Sequence, residues 1–150
     1  MAWITPAESD LLLAISGAEL AALRKAALAT GQADPVAPSM YNAAQTVRGY
    51  VAACHQNTLG PEGTVPDELL QALADTTVCN IIKRVPGYDI SEPRQTARDA
   101  ATALLKDVAA CKFALAQPET AGEETMSGGA PISVVNSVTR NATRANLDSL

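Results

Sequence analysis

The side chains in this sequence that could do chemistry are few, and their spacing does not suit it. There is one histidine, His55, and three cysteines, Cys54, Cys79 and Cys111, with no Cys-x-x-Cys pair among them. Zinc sites tend to draw ligands from closely spaced pairs, and a catalytic thiol needs a histidine in reach; nothing in these spacings argues for either. His55 stands beside an expected helix end and reads as a satisfied or solvent-facing residue of its last turn. The cysteines each fall on an expected helix and read as small buried hydrophobes in a reducing compartment. The acid pairs Asp67/Glu68 and Glu123/Glu124 read as a helix start and a linker. Neither Leu59-Gly60-Pro61-Glu62-Gly63 nor Gly128-Gly129 is followed by the Gly-Lys-Ser/Thr that completes a phosphate loop. The sequence offers no catalytic, cofactor-binding or metal-binding residue, and it reads as a non-enzyme.

The elements that must position any working surface are helical. The best delimited spans 66–85. A Gly/Pro loop precedes it, Pro66 suits a first helical position, and Asp67 and Glu68 complement the dipole. Leu69, Leu70, Leu73, Thr77, Val78, Ile81, Ile82 and Val85 then recur at three- and four-residue steps until Pro86-Gly87. This helix is expected at the centre. Thr5-Pro6 starts a first helix, 5–15, carrying Leu11, Leu12, Leu13 and Ile15. Ser16 and Glu19 form a capping box for a second, 17–30, that buries Leu20, Leu23, Ala27 and Leu28. Asp34-Pro35 starts a third, 35–56, with Val36, Met40, Ala43, Ala44, Val47, Tyr50, Val51 and Cys54 on one face. Gly49 within it suggests close approach of another helix. Ser91 caps the last, 92–115, whose stripe is Ala97, Ala100, Ala101, Leu104, Leu105, Val108 and Cys111.

Composition agrees with a helical bundle. Aromatics are 3% of the 150 residues while alanine is about a fifth, so the helices pack closely but each buries little area. A net charge of −5 argues against wrapping nucleic acid as a main task. No apolar run approaches the roughly 18–20 residues of a membrane span, and Met1-Ala2-Trp3-Ile4-Thr5 lacks the basic and apolar regions of a signal peptide. The chain is therefore expected to be used without signal-peptide export. From Pro118 the character changes. The domain layout read here is a helical domain 1–116, a flexible linker 117–131 with almost nothing to bury, and a C-terminal arm 132–150. Ile132-Ser133-Val134-Val135-Asn136-Ser137-Val138 alternates partly and is rich in β-branched residues, a candidate strand with no partner nearby. The fold class is all-α, a small five-helix bundle with an extended arm suited to β-augmentation.

A second reading is a small DNA-packaging protein resembling a terminase small subunit, since helices around Ser16 and Asp34 could be drawn as a helix-turn-helix. Its recognition helix would carry Arg48 as its single base and a proline near its start.

Several patches in order resemble the Mu-like phage neck proteins, the head–tail adaptor or connector group. They are Met1-Ala2-Trp3-Ile4-Thr5, Ala18-Glu19-Leu20, Asp34, Val47-Arg48-Gly49-Tyr50-Val51 and Asn57-Thr58-Leu59-Gly60. Val65-Pro66-Asp67-Glu68-Leu69, Arg84-Val85-Pro86-Gly87 and Leu104-Leu105-Lys106-Asp107-Val108-Ala109-Ala110 continue the pattern, with a looser echo in Arg140, Arg144 and Leu147. The resemblance implies a non-enzymatic virion component without cofactor or membrane, assembled in the host cytoplasm and placed in the neck. It implies a homo-oligomeric, usually dodecameric ring beneath the portal protein, binding a stopper or tail terminator protein below. DNA would pass through its lumen without sequence-specific binding. The partner-binding residues expected on the arm are Ile132, Val134, Val135, Val138, Arg140, Arg144 and Leu147. Val138 and Thr139 stand where the family's tail carries an aromatic and more basic character.

Overall fold

The computed structural model describes residues 3–28, 31 and 33–118. Their order is β1 (Trp3–Ile4), a 3₁₀ helix (Glu8–Leu13), α1 (Gly17–Leu28), α2 (Val36–Ala53), β2 (Val65–Pro66), a 3₁₀ turn (Asp67–Leu69), α3 (Leu70–Ile82) and α4 (Glu92–Ala109). The protein is all-α, and among the described residues there are five helical segments, when the 3₁₀ turn is counted as the entrance to α3, and one small antiparallel ribbon. In that ribbon Trp3 pairs with Pro66 and Ile4 with Val65.

A helix that is apolar around most of its circumference has to be covered over most of it, and α3 is, with Gln71 its exposed residue and Asp75, Thr76 and Asn80 half-buried. Ala72, Leu73, Ala74, Thr77, Val78, Cys79, Ile81 and Ile82 are all buried in it. Thr77 satisfies its hydroxyl within the helix by donating to the Leu73 carbonyl, 2.7 Å away. The helix is shared by two cores. Leu73, with Leu69 just before it, packs among Ala43, Val47 and Val51 of α2, Val65 of β2, and Leu105 and Val108 of α4. Ala74, Val78, Ile81 and Ile82 pack with Leu11 and Ile15, with Leu20, Leu23 and Ala27 of α1, and with Val36 at the start of α2.

Local signals placed the helices better than their ends. The first segment is a 3₁₀ helix over 8–13, not a helix over 5–15 capped by Thr5. Its cap is Ala7, whose N–H donates to the Asp10 carboxylate at 2.7 Å. So short a helix has a narrow inward face, and only Leu11 is buried in it, while Leu12 and Leu13 are exposed. Leu28, expected inside, is 40% exposed at the end of α1. Pro66 is not the first residue of a helix but sits extended in β2, with φ −60° and ψ 137°. Gly49 meets nothing within 4 Å of where a Cβ would stand, so no helix approaches there. In α4 the buried stripe narrows to Ala101, Leu105 and Val108, and Ala100 faces solvent.

Half of the capping box forms. The Ser16 hydroxyl accepts the Glu19 N–H at 3.2 Å, but the Glu19 carboxylate turns away to Arg94 of α4, at 2.7 Å. The Arg94 hydrogen bond holds the Glu19 carboxyl below its ordinary range, against a smaller opposing effect of burial. A depressed carboxylate stabilises the fold above its unfolded pKa and stops doing so as pH falls through the folded one. Because the side chains are 43% and 26% exposed, the pair is expected to be worth no more than about 1 kcal/mol. Glu19→Gln should therefore lower stability by up to that amount at neutral pH. The loss should vanish in acid, where both chains carry a neutral residue, and denaturant titrations at the two pH values check this.

A second ionic tie joins the front of the fold. Arg24 of α1 contacts Glu8 at 2.8 Å and lies 3.0 Å from Asp34, which itself accepts the Val36 N–H at the start of α2. The buried Arg24 Nε is within ion-pair distance of Asp34 but makes no aligned hydrogen bond.

Candidate functional site

The expected partner-binding residues Ile132, Val134, Val135, Val138, Arg140, Arg144 and Leu147 lie outside the described residues, as do linker positions 119–131. What the structure does place is the ground from which that segment departs. After α4 the chain makes a Schellman turn: the Lys112 N–H donates to the Asp107 carbonyl at 2.9 Å, and the Cys111 N–H to that of Val108 at 3.0 Å. The residue of such a turn that must be left-handed is usually glycine. Here it is Cys111, with φ 58°. The helix expected to run to 115 ends at Ala109, and residues 113–117 fold back along the domain. Leu115 is buried in the α2–α4 core.

Three hydrogen bonds from three elements hold this return. The Trp3 indole N–H donates to the Ala116 carbonyl at 3.1 Å. The Ala116 N–H donates to the Glu68 carboxylate at 3.2 Å, and the Thr58 N–H to the Gln117 side-chain oxygen at 2.9 Å. Beneath them, Arg48 organises the loop that follows α2. Its guanidinium donates to the carbonyls of Pro61 at 2.9 Å, Thr64 at 2.6 Å and Gly60 at 3.2 Å, and its Cζ lies 5.8 Å from the Trp3 ring centre. This removes the one base that a DNA-recognition helix would have offered, because Arg48 is committed to its own loop.

Gly60 makes the stacking possible. A Cβ there would stand 2.5 Å from Trp3 Cδ2 and 2.6 Å from Cε3. The ring cannot easily yield, since its N–H is tied to Ala116 and Arg48 lies over it. Gly60→Ala is expected to cost about 1–3 kcal/mol, the usual penalty of overpacking. It should also change the fluorescence of the protein's single tryptophan, and an unmoved emission maximum with unchanged stability would contradict it.

The cysteines correct the sequence reading outright. Cys54 and Cys111 are not separate thiols: they form a disulfide, with Cα atoms 5.3 Å apart and a sequence separation of 57. Cys54 ends α2 and Cys111 follows α4, so the bond joins the same two regions that the hydrogen bonds above join. Cys79 is a buried free thiol, its pKa pushed up chiefly by burial. Its sulfur faces the Arg94 carbonyl at 3.8 Å. In the structure Cys54 and Cys111 both sit at helix C-termini, where Cys79 does not, but a last helix read to 115 hid this for Cys111.

Chemically this is a fastening and a surface. Among the described residues, no group of three or more His, Cys, Asp or Glu side chains could hold a metal ion. His55 is exposed beside the disulfide. The hollow lined by Pro6, Ala37, Met40, Tyr41, Ala44, Gln45 and Gly63, about 260 Å³, is mostly apolar and brings no titrating pair together. Among the described residues no helix is long and apolar enough to cross a membrane.

Residues 7–134 match the family described as Bacteriophage Mu, Gp36. No curated protein and no solved structure gives a match.

Proposed function

The chain belongs to the bacteriophage Mu Gp36 family, and from that premise we propose that it is a head–tail adaptor, a connector ring between the portal and the tail of a Mu-like phage. Membership makes it a phage protein and points to a structural component of the virion. The observation that carries the reading is the extent of the family match, residues 7–134, which takes in nearly the whole helical domain and reaches into the arm.

The described surface supports an assembling part. Leu12 and Leu28 stand 56% and 40% exposed. They border hollows that share Ala21 and Arg24. Apolar side chains left at one side of a small monomer are the kind a neighbouring subunit covers. The proposed partners are further copies of this chain, the portal protein, and a stopper or tail terminator protein. The proposed place is the neck of the virion, reached from the host cytoplasm during assembly. DNA would cross the ring without being read, in keeping with the acidic charge and the committed Arg48. No enzymatic step is assigned.

The test is a pull-down of purified portal rings by the purified chain, with duplex DNA as the competing ligand. The adaptor reading expects saturable capture of portal that DNA does not compete for. Capture of DNA in its place, with a steep dependence on salt, would favour the packaging-protein reading and overturn this one.

A further inference from the structure

We propose that the Cys54–Cys111 disulfide is a redox lock on the segment where the chain leaves the helical domain, open in reducing surroundings and closed by thiol–disulfide exchange in oxidising ones. The lock itself does not depend on the adaptor reading. Its timing, open during assembly in the cytoplasm and closed after release, rests on that reading.

The geometry separates this bond from a general staple. Neither cysteine lies within α3, where the two cores meet. Cys54 is the cap of α2, immediately before the Asn57–Thr64 loop, and Cys111 immediately precedes the returning segment. The remaining polar hold on that segment is the three hydrogen bonds from Trp3, Glu68 and Thr58, all at exposed positions. Cys111 is also held left-handed in a turn that favours glycine, so without the bond its own backbone favours leaving that conformation. The domain is thus already stabilised by its cores, which reach this segment through Leu115, and the bond acts at the segment's root.

The two sulfurs differ in access, which orders the exchange. Cys54 is 2% exposed, whereas Cys111 is partly exposed. With glutathione disulfide as oxidant, the Cys111 thiolate attacks one of its sulfurs. The oxidant's S–S bond breaks, and one glutathione leaves and takes a proton. The Cys54 thiolate then attacks the Cys111 sulfur of the mixed disulfide, releasing the second glutathione, which takes the other proton. Two protein thiols are oxidised by two electrons, and one glutathione disulfide is reduced to two thiols. Buried Cys79 stays a thiol throughout and serves as an internal count.

The experiment uses the full chain equilibrated in reduced or oxidised glutathione. Thiols are counted by alkylation after denaturation, and amide exchange is followed residue by residue. The lock predicts three alkylated thiols in the first buffer and one in the second. It predicts exchange at Thr58 and at Lys112–Gln117 slowed about tenfold or more by oxidation, with α3 amides changing much less. Cys111→Gly suits the left-handed position and cannot form the bond. It should exchange at the same rate in both buffers, no faster than the reduced chain and faster than the oxidised one. Three thiols in oxidised glutathione, equal exchange at the segment in both buffers, or an equal change in α3 would each overturn the proposal. For the timing, chains alkylated inside infected cells should carry open thiols and those in released particles a closed bond. Open thiols in released particles overturn the timing alone. Particles that contain none of the chain overturn the adaptor reading and leave the exchange result standing.

Discussion

Leu73→Ala is expected to lower the free energy of unfolding by about 3–5 kcal/mol, the upper part of the range for a buried leucine. Leu73 is fully buried where α2, α3, α4 and β2 meet. How much such a site costs depends on how far its walls can close. Here they are largely Val47, Val51, Val65 and Val108, stiff at χ1, on elements also tied by the Arg48 hydrogen bonds. Little collapse is available, so most of the cavity should remain. Against the roughly 5–15 kcal/mol that holds a domain together, one substitution would remove a large share. Ile81→Ala, two turns further along α3 in the other core, should cost about 2–5 kcal/mol. The two share no packing cluster, so the double variant should lie within about 0.5 kcal/mol of their sum. Urea titrations measure all three. A cost below about 1 kcal/mol at both sites would mean that α3 does not organise the fold.

How far the fold could be read from sequence follows the range of the interaction responsible. The central helix was legible because every signal for it is local: the Gly/Pro loop before it, the three- and four-residue recurrence, and Pro86-Gly87 after it. Its start was misplaced because Pro66 is claimed by a strand sixty-odd residues upstream, a pairing that periodicity cannot register. Glu19 was legible as a capping residue by spacing. Its carboxylate went instead to Arg94, because a charged partner outcompetes a neutral N–H. The disulfide was missed for a related reason. Two cysteines 57 residues apart look independent until α2 and α4 are laid side by side. Gly60 and Arg48 were noted, one as a turn residue and one as a possible base contact. Their joint role depends on Trp3, which reaches them only through the β1–β2 pairing. The arm's expected contacts lie where the structure describes nothing, so that part of the candidate site still rests on sequence.

On the proposed function, deleting residues 118–150 is expected to leave a folded domain that no longer joins heads to tails. The buried residues of both cores lie between Leu11 and Leu115, and the hydrogen bonds of the returning segment end at Gln117. The truncated chain should therefore unfold within a few degrees of the full one, which a thermal melt checks before any assembly assay. In the assay, packaged heads should accumulate without tails. If Ile132–Val138 adds as a strand to a neighbouring subunit or the portal, Ile132, Val134 and Val138 share one face and Val135 takes the other. Val134→Asp would then put a charge into the interface and should approach the effect of the whole deletion. If the end turns helical, Arg140 and Arg144 are four residues apart on one side, and reversing both to Glu should weaken pairing with an acidic partner, most visibly at low salt. Normal yields of joined particles from the truncated chain would place the contacts on the helical domain, with the exposed Leu12, Leu13 and Leu28 the next residues to change.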